Sequence, residues 1–134
     1  MRGNAIIRKM IESDIQHLSQ GFINQGWPAR EENLTRYFKE QESGEREVLV
    51  AAVEGALAGY ITILSCAKQG PFAEIYPELS DFNVFEPFQN QGIGNLLLEE
   101  AEKQVRLISD KVTLGVGLHS GYGPAQRLYY CRMC

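Results

Sequence analysis

The sequence predicts a mixed α/β fold in the order β-α-α-β-β-β-α-β-α, and three observations carry that reading. Apolar residues at helical spacing alternate along the chain with short runs rich in Val, Ile and Leu. Two of those runs meet around Gly55, close enough for an antiparallel hairpin. Late in the chain a strand, a long helix and another strand follow one another, which is the pattern of a crossover connection.

Taken in order, AIIRKM (Ala5 to Met10) is a short strand. ESDIQHLSQGFINQG reads as a helix with Ile15, Leu18, Phe22 and Ile23 on one face and Ser13 as its N-cap. Pro28 restricts Trp27 to extended backbone and ends it. A second helix presents Leu34, Tyr37 and Phe38 and stops near Gly44. REVLVAAVEG and ALAGYITILSCA form the hairpin. A loop with two prolines follows, then the strand LSDFNVF, stopped by Pro87. The long helix carries Ile93, Leu97, Ala101, Val105 and Ile108 as its stripe. KVTLGVGLH is the fifth strand, and GPAQRLYYCRM a last short helix with Pro124 near its first turn.

The 134 residues, 44% hydrophobic and 22% charged, suit one soluble domain over 1–134 with a single core. A net charge of −4 supplies no basic field for nucleic acid or an anionic membrane, so an anionic ligand needs local features. The N-terminus carries no signal-peptide pattern, and no segment approaches the ~20 apolar residues of a membrane span. Cytoplasmic location is the expectation. Cys66, Cys131 and Cys134 are too sparse for a disulfide framework, and one CxxC supplies two of the four ligands that structural zinc takes. No metal is expected.

The stretch FQNQGIGNLLLEEAE sets two glycines at the start of a strongly helical run. A dinucleotide fingerprint needs a third glycine where Leu97 stands, and a Walker-type loop needs a Gly-Lys-Ser/Thr sequence that is absent. Two readings remain open at this point. One is a phosphate cradle of exposed N–H groups at a helix N-terminus; the other is close packing of helix on strand.

The segment from Val84 to Gly94 resembles the acetyl-CoA-binding signature of the GNAT superfamily of N-acetyltransferases, with Gln89, Gly92 and Gly94 at its fixed positions. Ala125, Leu128 and Tyr129 resemble the superfamily's later Ala-x-x-Leu-Tyr helix, and the opening strand and helix are similar too. The resemblance implies a mostly antiparallel twisted sheet with helices on both faces. It implies that acetyl-CoA rests its pyrophosphate on Gln89, Asn90, Gln91, Gly92, Ile93, Gly94 and Asn95. Pantetheine then runs along Asn83, Val84 and Phe85, where the fourth and fifth strands splay apart. An amine of a small molecule or peptide attacks the thioester directly, with the Val84 N–H on the oxyanion and Tyr129 protonating the thiolate. Glu74, Glu78 and Asp81, in or before the fourth strand, are candidate bases, and alternation puts Asp81 and Asn83 on one face and Phe82 and Val84 on the other. His119 is a further base candidate.

In the superfamily the Ala-x-x-Leu-Tyr helix leads to two further strands, whereas here Met133 and Cys134 follow and the sequence stops. The expectation is an open edge on the fifth strand, which invites a homodimer, and poor turnover unless a partner completes the sheet. The two functions to separate are an acetyl-CoA-dependent N-acetyltransferase and a catalytically impaired acyl-CoA-binding module.

Overall fold

The computed structural model describes residues 5–64 and 77–108, and the backbone of 111–116 and 125–130. Strand β1 (Ala5–Lys9) leads into helices α1 (Asp14–Asn24) and α2 (Glu31–Ser43). Strands β2 (Arg46–Val53), β3 (Ala56–Leu64) and β4 (Glu78–Val84) follow. One 3₁₀ turn (Glu86–Phe88) precedes helix α3 (Ile93–Arg106), and strands β5 (Lys111–Val116) and β6 (Ala125–Tyr130) come last. The six strands stand side by side in chain order. Every neighbouring pair is antiparallel except β4 with β5, which the α3 crossover makes parallel.

Local chemistry sets the elements. The Asp14 carboxylate accepts the Ile11 N–H at 2.9 Å and two bonds from Arg8 at 2.7 and 3.1 Å, fixing the turn into α1. Ser13, expected to cap that helix, makes no capping bond with its side chain. Leu18 and Phe22 are buried as the spacing predicts, but Ile23 is 48% exposed, one position off the stripe. The hairpin between β2 and β3 turns on Glu54 and Gly55, both at positive φ, the geometry that matches the twist of paired strands.

Each face of the sheet carries its own core. Leu49, Ile61, Ile63 and Leu79 meet Ile93, Leu97, Ala101 and Val105 of α3 on one side. On the other, Val48, Val50, Tyr60 and Phe85 meet Leu18, Phe22, Leu34 and Tyr37 of α1 and α2. Ile108, expected on the α3 stripe, lies beyond the helix end and is 65% exposed.

The last element differs from expectation. The segment predicted as a helix is strand β6, paired in register with β5 from Val116↔Ala125 to Lys111↔Tyr130. Adjacent tyrosines suit a pleated strand, and the pairing satisfies the β5 edge that the sequence reading left open. The ground for a homodimer through that edge goes with it.

Strand β4 carries the second departure. Tyr60 pairs with Asn83 and Thr62 with Ser80, so Ile61 faces two residues, Asp81 and Phe82, across a β-bulge. Asp81 takes φ +47 there. The extra residue resets the alternation, so Ser80, Asp81 and Asn83 all face α1 and α2, while Leu79, Phe82 and Val84 face α3.

Candidate active site

β4 and β5 pair only at Glu78↔Thr113 and Leu79↔Leu114. Beyond Leu79, the rest of β4 runs without a partner on that side among the described residues, which opens a wedge in the sheet. The Phe85 N–H donates to the Ala58 carbonyl at 2.8 Å, toward β3. Successive N–H groups of a strand point to opposite edges, so those of Val84 and Phe82 face the wedge. The Val84 carbonyl points there too and accepts the Gln89 side-chain amide at 2.9 Å.

At the mouth of the wedge lies the N-terminus of α3. Its first amides, on Ile93, Gly94 and Asn95, have no acceptor inside the helix. No side chain caps this end and no acidic residue stands in the first turn. The terminus therefore presents bare donors and its partial positive charge, the conditions an anionic group needs. The two glycines do different work. Gly92 is the N-cap at φ +84, a conformation that costs a side-chain-bearing residue roughly 1–2 kcal/mol. A Cβ on Gly94 would lie 3.3 Å from Phe82 Cζ and 3.7 Å from Val84 Cγ2, so this glycine lets α3 lie close on β4. Close packing at Gly94 and bare amides at the helix end coexist. Gly92→Ala is expected to lower stability by about 1–2 kcal/mol, read as a fall in melting temperature of a few degrees.

On the opposite face, the bulge aims Asp81 into a polar network. Its Oδ1 accepts Arg30 Nη1 at 2.9 Å and Asn83 Nδ2 at 3.0 Å, and its Oδ2 accepts the Tyr37 hydroxyl at 2.8 Å. Arg30 Nη1 also donates to the Tyr60 hydroxyl at 2.8 Å. Burial works against the Arg30 charge, but the hydrogen bond to Asp81 and the surrounding negative potential hold the guanidinium above its ordinary value. Burial first, and the Asp81 charge second, push the Tyr60 and Tyr37 phenols upward. A group whose folded pKa is raised contributes stability that is whole below its unfolded value, about 10 for tyrosine, and is lost as pH rises through the folded value. Melting temperature is accordingly expected to fall from about pH 10 upward. Tyr60→Phe makes that alkaline fall shallower, whatever it costs at neutral pH.

The predicted site residues separate into those the structure gathers and those it does not. Val84, Gln89 and the turn to Asn95 line one continuous edge. Phe85 belongs to the core: its N–H is spent on β3, and its ring stands edge-on to Phe22 at 5.2 Å. Asn83 turns its amide into the Asp81 network. Asp81, with three donors on its carboxylate, is an anchor rather than a free base. Glu78 pairs with Thr113, one rung before β4 and β5 part, on the face shared with Ser80 and Asp81. Tyr129 sits on β6 opposite Val112, on the closed side of the point where β4 and β5 part, and its side chain lies outside the described residues. Glu74 and His119 also lie outside them. His17, given no role, is exposed on α1.

Sequence reasoning gave Arg30 and Tyr60 no place. The bulge turns Asp81 to Arg30, which also donates to Tyr60, and no residue pattern announced it. A groove of about 710 Å³ lies between β1, α1, the β2–β3 turn and the segment Phe85 to Phe88, with the Arg8–Asp14 pair in its wall. No group of three or more His, Cys, Asp or Glu among the described residues is placed to hold a metal ion. No described helix is long and apolar enough to cross a membrane.

Comparison with known proteins agrees with this fold. A GNAT-family acetyltransferase of Brucella melitensis, solved with acetyl-CoA, superposes with a TM-score of 0.67 at 18% identity, over 95% of this chain and 88% of that one. One from Staphylococcus aureus gives 0.65 at 24% identity, over 89% and 91%. An N-acetyltransferase of Thermoplasma acidophilum in complex with coenzyme A gives 0.65 at 20% identity, over 88% and 82%. These likenesses show the fold. No curated protein matches the sequence. The acetyltransferase (GNAT) family profile matches residues 12–130, nearly the whole length, and the chain belongs to that family.

Proposed function

We propose that this protein is an N-acetyltransferase that moves an acetyl group from acetyl-CoA to a primary amine of a small molecule or peptide by direct attack, without a metal. The observation that carries the reading is the continuity of the unpaired β4 edge with the uncapped, acid-free N-terminus of α3. A long ligand with an anionic head and an amide-bearing arm suits that surface, and acetyl-CoA has both.

In this reading acetyl-CoA supplies the activated acyl group when bound. The amides of Gly92 to Asn95 hold its pyrophosphate. Two N–H groups face the wedge. Val84, nearer the helix, takes an amide of the arm. Phe82, one pleat further along, takes the thioester oxygen, and this replaces the earlier expectation of Val84. An N–H aimed at that oxygen stabilises the negative charge formed on attack. The acceptor arrives from the face of α1 and α2, which carries the polar network of Asp81, Arg30 and Tyr37. There Glu78, about four strand residues or roughly 13 Å from Phe82 along the backbone, accepts the proton of the acceptor ammonium through a chain of waters.

A melting-temperature titration with acetyl-CoA, CoA, NAD and ATP tests the reading. At a hundred times its Kd a ligand adds about 2.7 kcal/mol, a rise of several degrees. Stabilisation by acetyl-CoA and CoA alone, with CoA release on adding an amine, is the expected outcome. Equal stabilisation by ATP or NAD, or no rise with acetyl-CoA, would reject it.

A further inference from the structure

The acceptor face of the wedge carries a cation whose role the transfer reaction alone does not explain. The Arg30 guanidinium uses one nitrogen, Nη1, for both of its hydrogen bonds, to Asp81 and Tyr60. Its Nε and Nη2 make no hydrogen bond among the described residues, and the side chain remains 28% exposed. The group is nonetheless fixed in place. Asp81 and Tyr60 hold it on one side, and it stands over the Phe22 ring at 5.4 Å. A second, solvent-facing aromatic rests on the same ring: Trp27, 49% exposed, lies at 6.0 Å and nearly parallel to it. Arg30 is thus a preorganised fork with one planar edge unpartnered among the described residues, over the same Phe22 ring on which the exposed indole stacks.

Position gives that fork its meaning. Asp81, 2.9 Å from Arg30, is the residue immediately before Phe82. With the thioester oxygen on the Phe82 N–H, as proposed, Arg30 bonds the side chain of the neighbouring residue on the face from which the acceptor arrives. The free edge of an arginine matches a carboxylate with two parallel N–H···O bonds. Asp81 does not fill it, because its bond to Arg30 runs to Nη1 alone and its other oxygen accepts Tyr37.

We infer that the acceptor is an α-amino acid or a close analogue, whose carboxylate docks on the Nε–Nη2 edge of Arg30 and whose apolar side chain lies against Trp27. The inference rests on the acetyltransferase reading and narrows it. The fixed fork selects acceptors that carry a carboxylate as well as the amine.

The test compares phenylalanine with phenylalaninamide and leucine with leucinamide, as acceptors in a CoA-release assay and as ligands that stabilise the CoA-saturated protein. Each acid is expected to exceed its amide by about tenfold or more in kcat/KM or in Kd, the worth of a charge-assisted bidentate contact. Arg30→Lys keeps the charge beside Asp81, and with it the fold, but loses the planar fork. It should lower the value for the acid about tenfold, leave the amide within about threefold, and leave the Kd for acetyl-CoA unchanged. The inference is overturned if the amides serve as well as the acids, if no member of either pair binds the CoA complex, or if Arg30→Lys retains the preference. Failure of acetyl-CoA itself to stabilise the protein is a separate observation, which removes the transferase reading and this inference together.

Discussion

Glu78→Gln should lower kcat by roughly 10²-fold or more and leave the Kd for acetyl-CoA unchanged. The size follows from what the side chain is asked to do. An alkyl amine is almost wholly protonated at neutral pH and cannot attack a carbonyl until it loses that proton. Glu78 lies on the face from which the acceptor comes, at the rung where β4 and β5 still pair, so its backbone is fixed by strands on both sides. Glutamine keeps the volume and the hydrogen-bonding reach while removing the basic oxygen. The separating readout is the pH profile. The wild-type rate should fall on the acid side as the base protonates, and the variant should lose that limb while regaining rate at high pH, where amine arrives already neutral. Asp81→Asn should leave that limb in place, since Asp81 anchors Arg30 and Tyr37. An unchanged kcat in Glu78→Gln, or loss of the acid limb in Asp81→Asn, would move the base elsewhere.

That contrast between two nearby carboxylates also marks what could be read from residues alone. The helices and the first four strands were legible because each buries one face, and burial prints a period on the sequence. Leu18, Phe22, Leu34 and Leu97 fall where that period puts them. The turn around Gly92 was legible because an uncapped helix start with glycine at positive φ leaves a distinct pattern. The bulge at Asp81 and Phe82 left none. Alternation correctly set Asp81 with Asn83 and Phe82 with Val84, yet could not show that Ser80 and Asp81 share a face, because one inserted residue resets the pleat without changing composition. Arg30 was invisible for a related reason. It lies 51 residues from Asp81 in sequence, and only the folded α1–α2 connection brings the two to 2.9 Å. The strand at Ala125–Tyr130 escaped because its six residues suit either state, and the decision belongs to its neighbour β5.

The close approach of β3 and β4 that shapes this edge depends on one missing methyl group. Gly59→Ala should destabilise the protein by about 3 kcal/mol, a fall in melting temperature of roughly 10 °C, and should weaken acetyl-CoA binding in parallel. A Cβ on Gly59 would stand 2.3 Å from the Asn83 carbonyl oxygen and 2.9 Å from Val84 Cα. Both are backbone atoms in a paired strand, so no side-chain rotation relieves the clash. Gly59 pairs with Val84, the end of the β3–β4 ladder beside the wedge, and Phe85 bonds to Ala58 just beyond. Relief therefore requires the strands to part where Val84 turns its N–H to the wedge, which ties the stability loss to the binding loss. Gly55→Ala is the control. That glycine has φ +87 with nothing within 4 Å of its would-be Cβ, so it should cost only the left-handed backbone penalty of about 1–2 kcal/mol, with acetyl-CoA affinity intact. If Gly59→Ala melts no lower than Gly55→Ala, or loses stability while binding acetyl-CoA as tightly as before, the β3–β4 contact does not set the geometry of the edge.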